Sequence, residues 1–172
     1  MGEVDEALKY HKEALRIRQI KLGQNHIKIA HSLDNIAGLY QKQKKYEKAL
    51  KSLKHALKIR TLCLGNDHVE IATTLFGMGI LFCDKNDLDK AMDCYEASLE
   101  IRKQKVGSSS VEYAQTLHNI GSVCALKQDY RNALTHWKNS LEKYRKIGLS
   151  DDHHMVASAI GNIEMATNML KS

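Results

Sequence analysis

Histidines in a fixed frame are the first residues that could do chemistry. His26 and His68 stand in two near-identical phrases, KLGQNHIKIAHSL at 21–33 and CLGNDHVEIATTL at 63–75. An imidazole repeated this way could hold a metal or move a proton. The third copy has Ser110 at the same place, so the frame predicts a turn contact instead. The acidic clusters are Asp84-x-x-Asp87 and Asp151-Asp152-His153-His154. The first falls where an Asp caps a helix. The second could bind a metal weakly, but adjacent residues on a short loop rarely converge on one ion. Cys63, Cys83, Cys94 and Cys124 form no Cys-x-x-Cys pair. A chain of 172 residues needs no disulfide staples, so free thiols in a reducing compartment, the cytoplasm, are expected. No phosphate-binding Gly-rich loop or nucleophile elbow is present. These residues predict no enzyme, no metal and no cofactor.

The elements that carry these residues repeat. Ala7, Ala49, Ala91 and Ala133 are 42 residues apart, as are Gly23, Gly65 and Gly107, and Ala30, Ala72 and Ala114. In the last copy Gly148 comes one residue early and Ala157 one late. A fixed period of this length means stacked supersecondary units. Each unit reads as two helices. HIKIAHSLDNIAGLYQK has Ile29, Leu33, Ile36, Ala37 and Tyr40 at helical spacing. YEKALKSLKHALKIRTLCL predicts a buried stripe of Tyr46, Ala49, Leu50, Leu53, Ala56 and Leu57. Trp137 and Tyr95 align with Leu53 and are expected in the core. The glycines fit left-handed helix ends. Asn25, Asp67, Ser109 and, one residue late in the drifting last copy, Asp152 are matched and expected as N-caps, with capping boxes from Asp67 to Glu70 and Ser109 to Glu112.

The absence of proline and the abundance of Lys, Glu, Ala and Leu agree with an all-α chain. The expectation is a right-handed α-solenoid of antiparallel helix pairs, one domain over 1–172. Residues 1–23 form the second helix of an incomplete first repeat. Whole repeats follow at 24–65, 66–107 and 108–149, and 150–172 supplies the first helix of an incomplete last one.

Leu33-x-x-Ile36-Ala37-x-x-Tyr40, followed by Tyr46-x-x-Ala49-x-x-x-Leu53-x-x-Ala56, resembles the tetratricopeptide repeat signature. The 42-residue period and the Leu-Gly-x-x-His phrase are similar to the kinesin light chain subtype. That subtype usually has proline after the His; Ile27, Val69 and Val111 stand here. The resemblance implies a TPR-like superhelix whose concave groove, lined by the first helix of each pair, binds an extended peptide. It implies that Asn35, Asn119 and Asn162 hold the peptide backbone; the second copy has Gly77. Other groove positions would be His31, Asp34, Gln41 and Lys42, then Phe76, Ile80 and Cys83, then Gln115, His118 and Ser122. An amide can donate to and accept from a peptide. The same asparagines could instead only tie neighbouring helices together.

Residues 1–66 hold 14 Lys and Arg against 6 Asp and Glu. A basic face of Lys44, Lys45, Lys48, Lys51, Lys54, Lys58 and Arg60 is expected on one helix. It could meet nucleic acid, acidic membrane or an acidic protein, or simply be solvated. No aromatics interleave with the charges, which argues against single-strand nucleic-acid binding. No apolar run is long enough to insert in a membrane. The start shows no signal-peptide pattern, and Glu6 spoils a myristoylation motif at Gly2.

The expected function is a protein–protein interaction module, an adaptor or scaffold that takes a protein or peptide partner, a kinesin light chain-like cargo adaptor among them. The alternatives are a subunit packing into an assembly through its ends and basic face, and an RNA-binding helical-repeat protein. The last helix, with Val156, Ile160, Ile163, Met165 and Met169, and the first, with Val4, Leu8, His11 and Leu15, lack covering neighbours in the sequence. End-to-end self-association or capping by another subunit is therefore expected.

Overall fold

A computed structural model describes residues 2–171 as eight α-helices, with no strand among them. In order they are α1 (Gly2–Leu22), α2 (Ile27–Lys42), α3 (Tyr46–Leu64), α4 (Val69–Asp84), α5 (Leu88–Lys105), α6 (Val111–Leu126), α7 (Tyr130–Lys146) and α8 (His154–Met169). The chain divides into two compact units, one ending at Lys85 and the other beginning at Asn86. In the first, α1 packs on α2, α2 on α3 and α3 on α4. In the second, α5 packs on α6, α6 on α7, α7 on α8, and α6 also touches α8. Short turns between packed neighbours make each pair antiparallel, the building unit of an all-α repeat solenoid.

Small residues let the helices approach. Ala30, Ala72, Ala91, Ala114 and Ala133 are fully buried, and Ala49 nearly so. Around Ala30 the first unit packs Ile29, Leu33, Ala56 and Ile59, with Leu15 and Ile27 at the margin. In the second, Ala114, Tyr144 and Val156 form a core closed by Val111, Leu141, Leu149, Met155 and Ile160. The α3 stripe is turned relative to its expected phase. Ser52, Leu53, Ile59 and Arg60 are buried, whereas Tyr46, Leu50 and Leu57 are half-buried. Trp137, Tyr95 and Leu53 lie in the core as their alignment predicts.

Both turn types recur with the period. After α1, α3, α5 and α7, Gly23, Gly65, Gly107 and Gly148 take φ values of 79°, 85°, 83° and 93°, where a side chain would be strained. The other turn places Lys44, Asn86 and Gln128 at φ 57°, 60° and 63°. There the Lys45 amide donates to the Tyr40 carbonyl and the Asp129 amide to the Cys124 carbonyl, each at 2.9 Å, which is the six-to-one bond of a Schellman cap.

The N-caps lie one residue beyond Asn25, Asp67, Ser109 and Asp152. They are His26, His68, Ser110 and His153. The Nδ1 atoms of the histidines accept from the amides of Lys28, Glu70 and Met155 at 3.2, 3.2 and 3.3 Å. Ser110 Oγ accepts from the Tyr113 amide at 3.1 Å. Nδ1 stands as many bonds from Cα as the amide oxygen of Asn, so an imidazole can fill the acceptor role of an N-cap. With the cap moved, Glu70 falls at the second helical position and Glu112 likewise, so neither capping box forms. The Leu-Gly-x-x-His phrase is therefore a helix stop followed by a helix start.

Gly121 is needed for another reason. A Cβ there would lie 2.8 Å from Cδ1 and Nε1 of Trp137, whose indole N–H donates to the His118 carbonyl at 3.0 Å. One repeat of 42 residues earlier, Tyr95 stands opposite Gly79 in phase, and two repeats earlier Leu53 stands opposite Ala37. We predict that Gly121→Ala costs about 1–3 kcal/mol, as overpacking does. In a Trp137→Leu background the same substitution should cost clearly less. Urea melts of the four proteins in this cycle give the coupling; equal costs in both backgrounds would disprove the steric account.

Candidate protein-binding faces

An arginine recurs at three of the four glycine turns, buried as Arg60 and Arg102 and half-buried as Arg18. Arg18 Nη1 donates to Ser32 Oγ, Arg60 Nη1 to Thr74 Oγ1 at 2.6 Å, and Arg102 Nη1 to Thr116 Oγ1 at 2.5 Å. Each pair spans 14 residues across one glycine turn. Each hydroxyl in turn donates to the carbonyl four residues earlier, at 3.0, 3.1 and 2.7 Å. A guanidinium has five donors in a fixed fork, so it can hold a helix end and the next helix start in one geometry.

In the first unit this clamp reaches the expected groove residues. Arg60 is 2% exposed. Its Nη2 lies 2.6 Å from Asp34 Oδ2 and its Nε 3.0 Å from Glu70 Oε2. His31 Nε2 reaches the same Glu70 oxygen at 2.9 Å. Arg60 is thus no part of the basic face: its side chain points inward because two carboxylates and a hydroxyl receive it. Burial pulls the Arg60 pKa down, and the pairings with Asp34 and Glu70 more than reverse this, leaving it raised. Burial also opposes ionisation of Glu70, but His31 and Arg60 together hold its pKa below the ordinary carboxylate value. Arg102 Nη1 donates to the Glu112 carbonyl at 2.8 Å as well as to Thr116 Oγ1; burial lowers its pKa, and Glu112 offsets only part of this. Gln41 Nε2 donates to Asp84 Oδ2 at 2.5 Å. Asn35 and Lys42 are exposed, and Phe76, Ile80 and Cys83 half-buried. The six lysines of the basic face are all exposed, with Lys48 Nζ 5.9 Å and Lys12 Nζ 5.4 Å from the centre of the Tyr40 ring.

The second unit gathers its expected residues into two cavities. One of about 170 Å³ is lined by Gln115, His118 and Asn119 of α6, with Tyr144, His154, Met155 and Ser158. The other, of about 360 Å³, is lined by Ser122, Ala125, Leu126, Tyr130, Trp137, Asn162 and Met165. His118 and Asn162, one lining each cavity, meet with Asn162 Nδ2 3.3 Å from His118 Nε2. Asn119 Nδ2 donates to the Tyr95 hydroxyl at 3.3 Å. These two asparagines do tie helices together, and both also line a cavity. The His118 Nδ1 is buried with no hydrogen-bond partner. Sequence reasoning missed Tyr144, His154, Met155, Ser158, Leu126 and Tyr130; the drift of the last repeat was the signal that this region differs.

No group of three or more His, Cys, Asp or Glu among the described residues could hold a metal ion. No described helix is long and apolar enough to cross a membrane. All four cysteines are free thiols.

Two outcomes follow from this wiring. Arg60→Ala leaves Asp34 without its guanidinium and Glu70 with His31 alone, and should destabilise the chain by about 1–3 kcal/mol, with Arg60→Lys recovering only part for lack of the fork. Denaturant titration measures both. Burial lowers the His118 pKa in the folded chain. The unfolded chain then binds more protons between the two pKa values, so stability falls as pH drops from neutral through the ordinary histidine range. His118→Gln should flatten the slope of melting temperature against pH between about 7.5 and 5.5; an unchanged slope would remove His118 from the account.

A family described as Tetratricopeptide repeat matches residues 1–61 and 29–104. Among solved structures, BtubC (BKLC) from P. vanneervenii is 17% identical with a TM-score of 0.75, over 98% of this chain and 64% of its own length. Nearly identical TPR-like repeats from a Podosopora anserina protein described as a kinesin light chain are 16% identical, TM-score 0.79, over 97% and 79%. The apo form of RapI is 18% identical, TM-score 0.80, over 99% and 45%. The chain thus spans less than two thirds of BtubC and under half of RapI, and at these identities the likeness is one of fold. No curated protein matches it. The chain belongs to the tetratricopeptide-repeat family, with a repeat of 42 residues.

Proposed function

We propose that the chain is a non-enzymatic adaptor or scaffold whose second unit takes a peptide or protein segment along the α6–α8 face. Protein–protein interaction is the general work of tetratricopeptide repeats, and a kinesin light chain-like cargo adaptor is one specialisation of it. The observation that carries the reading is the pair of cavities lined by Gln115 and Asn119 on one side and by Asn162, Leu126 and Met165 on the other. Amides can pair with a peptide backbone, while Leu126 and Met165, 58% and 42% exposed, offer apolar contact for its side chains. The repeat frames at 24–65, 66–107 and 108–149 assign one such face to each first helix. In the first unit, Asn35 and Lys42 remain presented to a partner, whereas His31, Asp34 and Gln41 hold their own helices. Exposed Met165 and Met169 on α8, with Leu170 just after it, support a second contact, capping by another subunit or end-to-end stacking of copies. Free thiols fit a cytoplasmic setting.

The test begins by selecting binding peptides from a random display library with the intact chain. Gln115→Ala and Met165→Glu should each weaken the selected peptides by about 1–3 kcal/mol, roughly 5- to 150-fold, with melting unchanged. Binding that survives both substitutions would place the partner elsewhere.

A further inference from the structure

Exposed stripes on α3 and α5 carry opposite charge at matched phase. Lys51, Lys54 and Lys58 stand on α3, and Asp93, Glu96 and Glu100 stand 42 residues later on α5. All six side chains are exposed. Both sets have the spacing i, i+3, i+7, which puts three charges on one helical stripe about 10 Å long. The only nearby carboxylate on α3, Glu47, is already engaged by Lys85. Of the acidic set, Glu100 also accepts from Gln104 on its own helix, at 2.7 Å. Neither stripe lines the two cavities described on α6–α8, although Glu96 borders a third with Ile120, Cys124, Asn132 and His136.

We infer that the lysine stripe of α3 docks on the acidic stripe of α5 in a second copy of this chain. Charge complementarity with equal spacing selects that occupant: three ammonium groups register on three carboxylates without any change in helix geometry. Each copy offers both stripes. Exposed ion pairs are individually weak and screened by salt, so the association is a loose one that opens as ionic strength rises.

Sedimentation velocity on the full chain tests this. The wild type should self-associate at about 20 mM salt, and its association constant should fall about tenfold or more by 300 mM. The triple variant K51E/K54E/K58E should be monomeric, and so should D93K/E96K/E100K. Mixed in equal amounts, the two should associate again, because one then carries only acidic stripes and the other only basic ones. Far-UV circular dichroism confirms that both variants are folded, as substitutions at exposed positions allow. A wild type that stays monomeric at low salt would overturn the proposal. So would association indifferent to salt, or a mixture of folded variants that fails to restore it.

Discussion

Three of the four glycine turns depend on how a guanidinium, buried in Arg60 and Arg102 and half-buried in Arg18, is satisfied. Where the second helix of one pair ends and the first helix of the next begins, an arginine reaches across a glycine turn to a hydroxyl 14 residues on. The turn leaves helix-end carbonyls and helix-start amides without intrahelical partners. Gly, the imidazole or serine cap, and the arginine bonded to a hydroxyl or carbonyl settle those groups together. A charge removed from water is costly unless bonded, so the turn has one acceptable geometry. Repeating that geometry every 42 residues is what makes the chain a solenoid.

The clamp also explains the cavity. One period after Arg102 the chain has Tyr144, and one period after Thr116 it has Ser158. Tyr144 is buried, with burial raising its pKa, but Ser158 is exposed. A phenol has one donor where a guanidinium has five, so nothing draws the α8 hydroxyl inward. The space left between them is the 170 Å³ cavity lined by Gln115, His118 and Asn119. The cavity lies at the one turn where the arginine clamp is missing.

A second rung repeats beside the first. Gln43 Nε2 donates to Asp5 Oδ1 at 2.6 Å, Lys85 pairs with Glu47, and Lys127 Nζ lies 2.7 Å from Asp89 Oδ1. Each joins residues 38 apart. The acids of the Lys pairs are largely exposed, so these contacts add little stability. Their constant spacing instead favours one register of a second helix against the following turn. Repeat length, the glycine turns and the alanine rows were legible because each is a single residue type at a fixed step. The caps were read one residue early because Asn, Asp and Ser are the familiar cap residues and imidazole is not. Arg60 was read as surface because a cation beside lysines looks solvated; the recurrence of Arg18, Arg60 and Arg102 with Ser or Thr 14 residues on was the overlooked signal. The left-handed Lys44 and Gln128 had no glycine to announce them.

Phase separates the positions that hold the fold from those that can recognise something. Positions buried against the next helix keep their type: Ala30, Ala72 and Ala114, or Ala49, Ala91 and Ala133. On the first helices, neighbouring phases change with each copy: Asp34, Phe76, His118 and Ile160 in one column, Asn35, Gly77 and Asn119 in another. A stacked array needs the first set to be uniform, since every interface is the same interface. It places no such demand on the second. Where Asp34 occupies the column, Arg60 takes its carboxylate into the fold. Where His118 occupies it, the ring meets Asn162 and lines an open cavity instead. The same backbone position therefore ties two helices in one unit and lines a cavity in the other, because the residue 26 positions on is Arg60 in the first case and Tyr144 in the second.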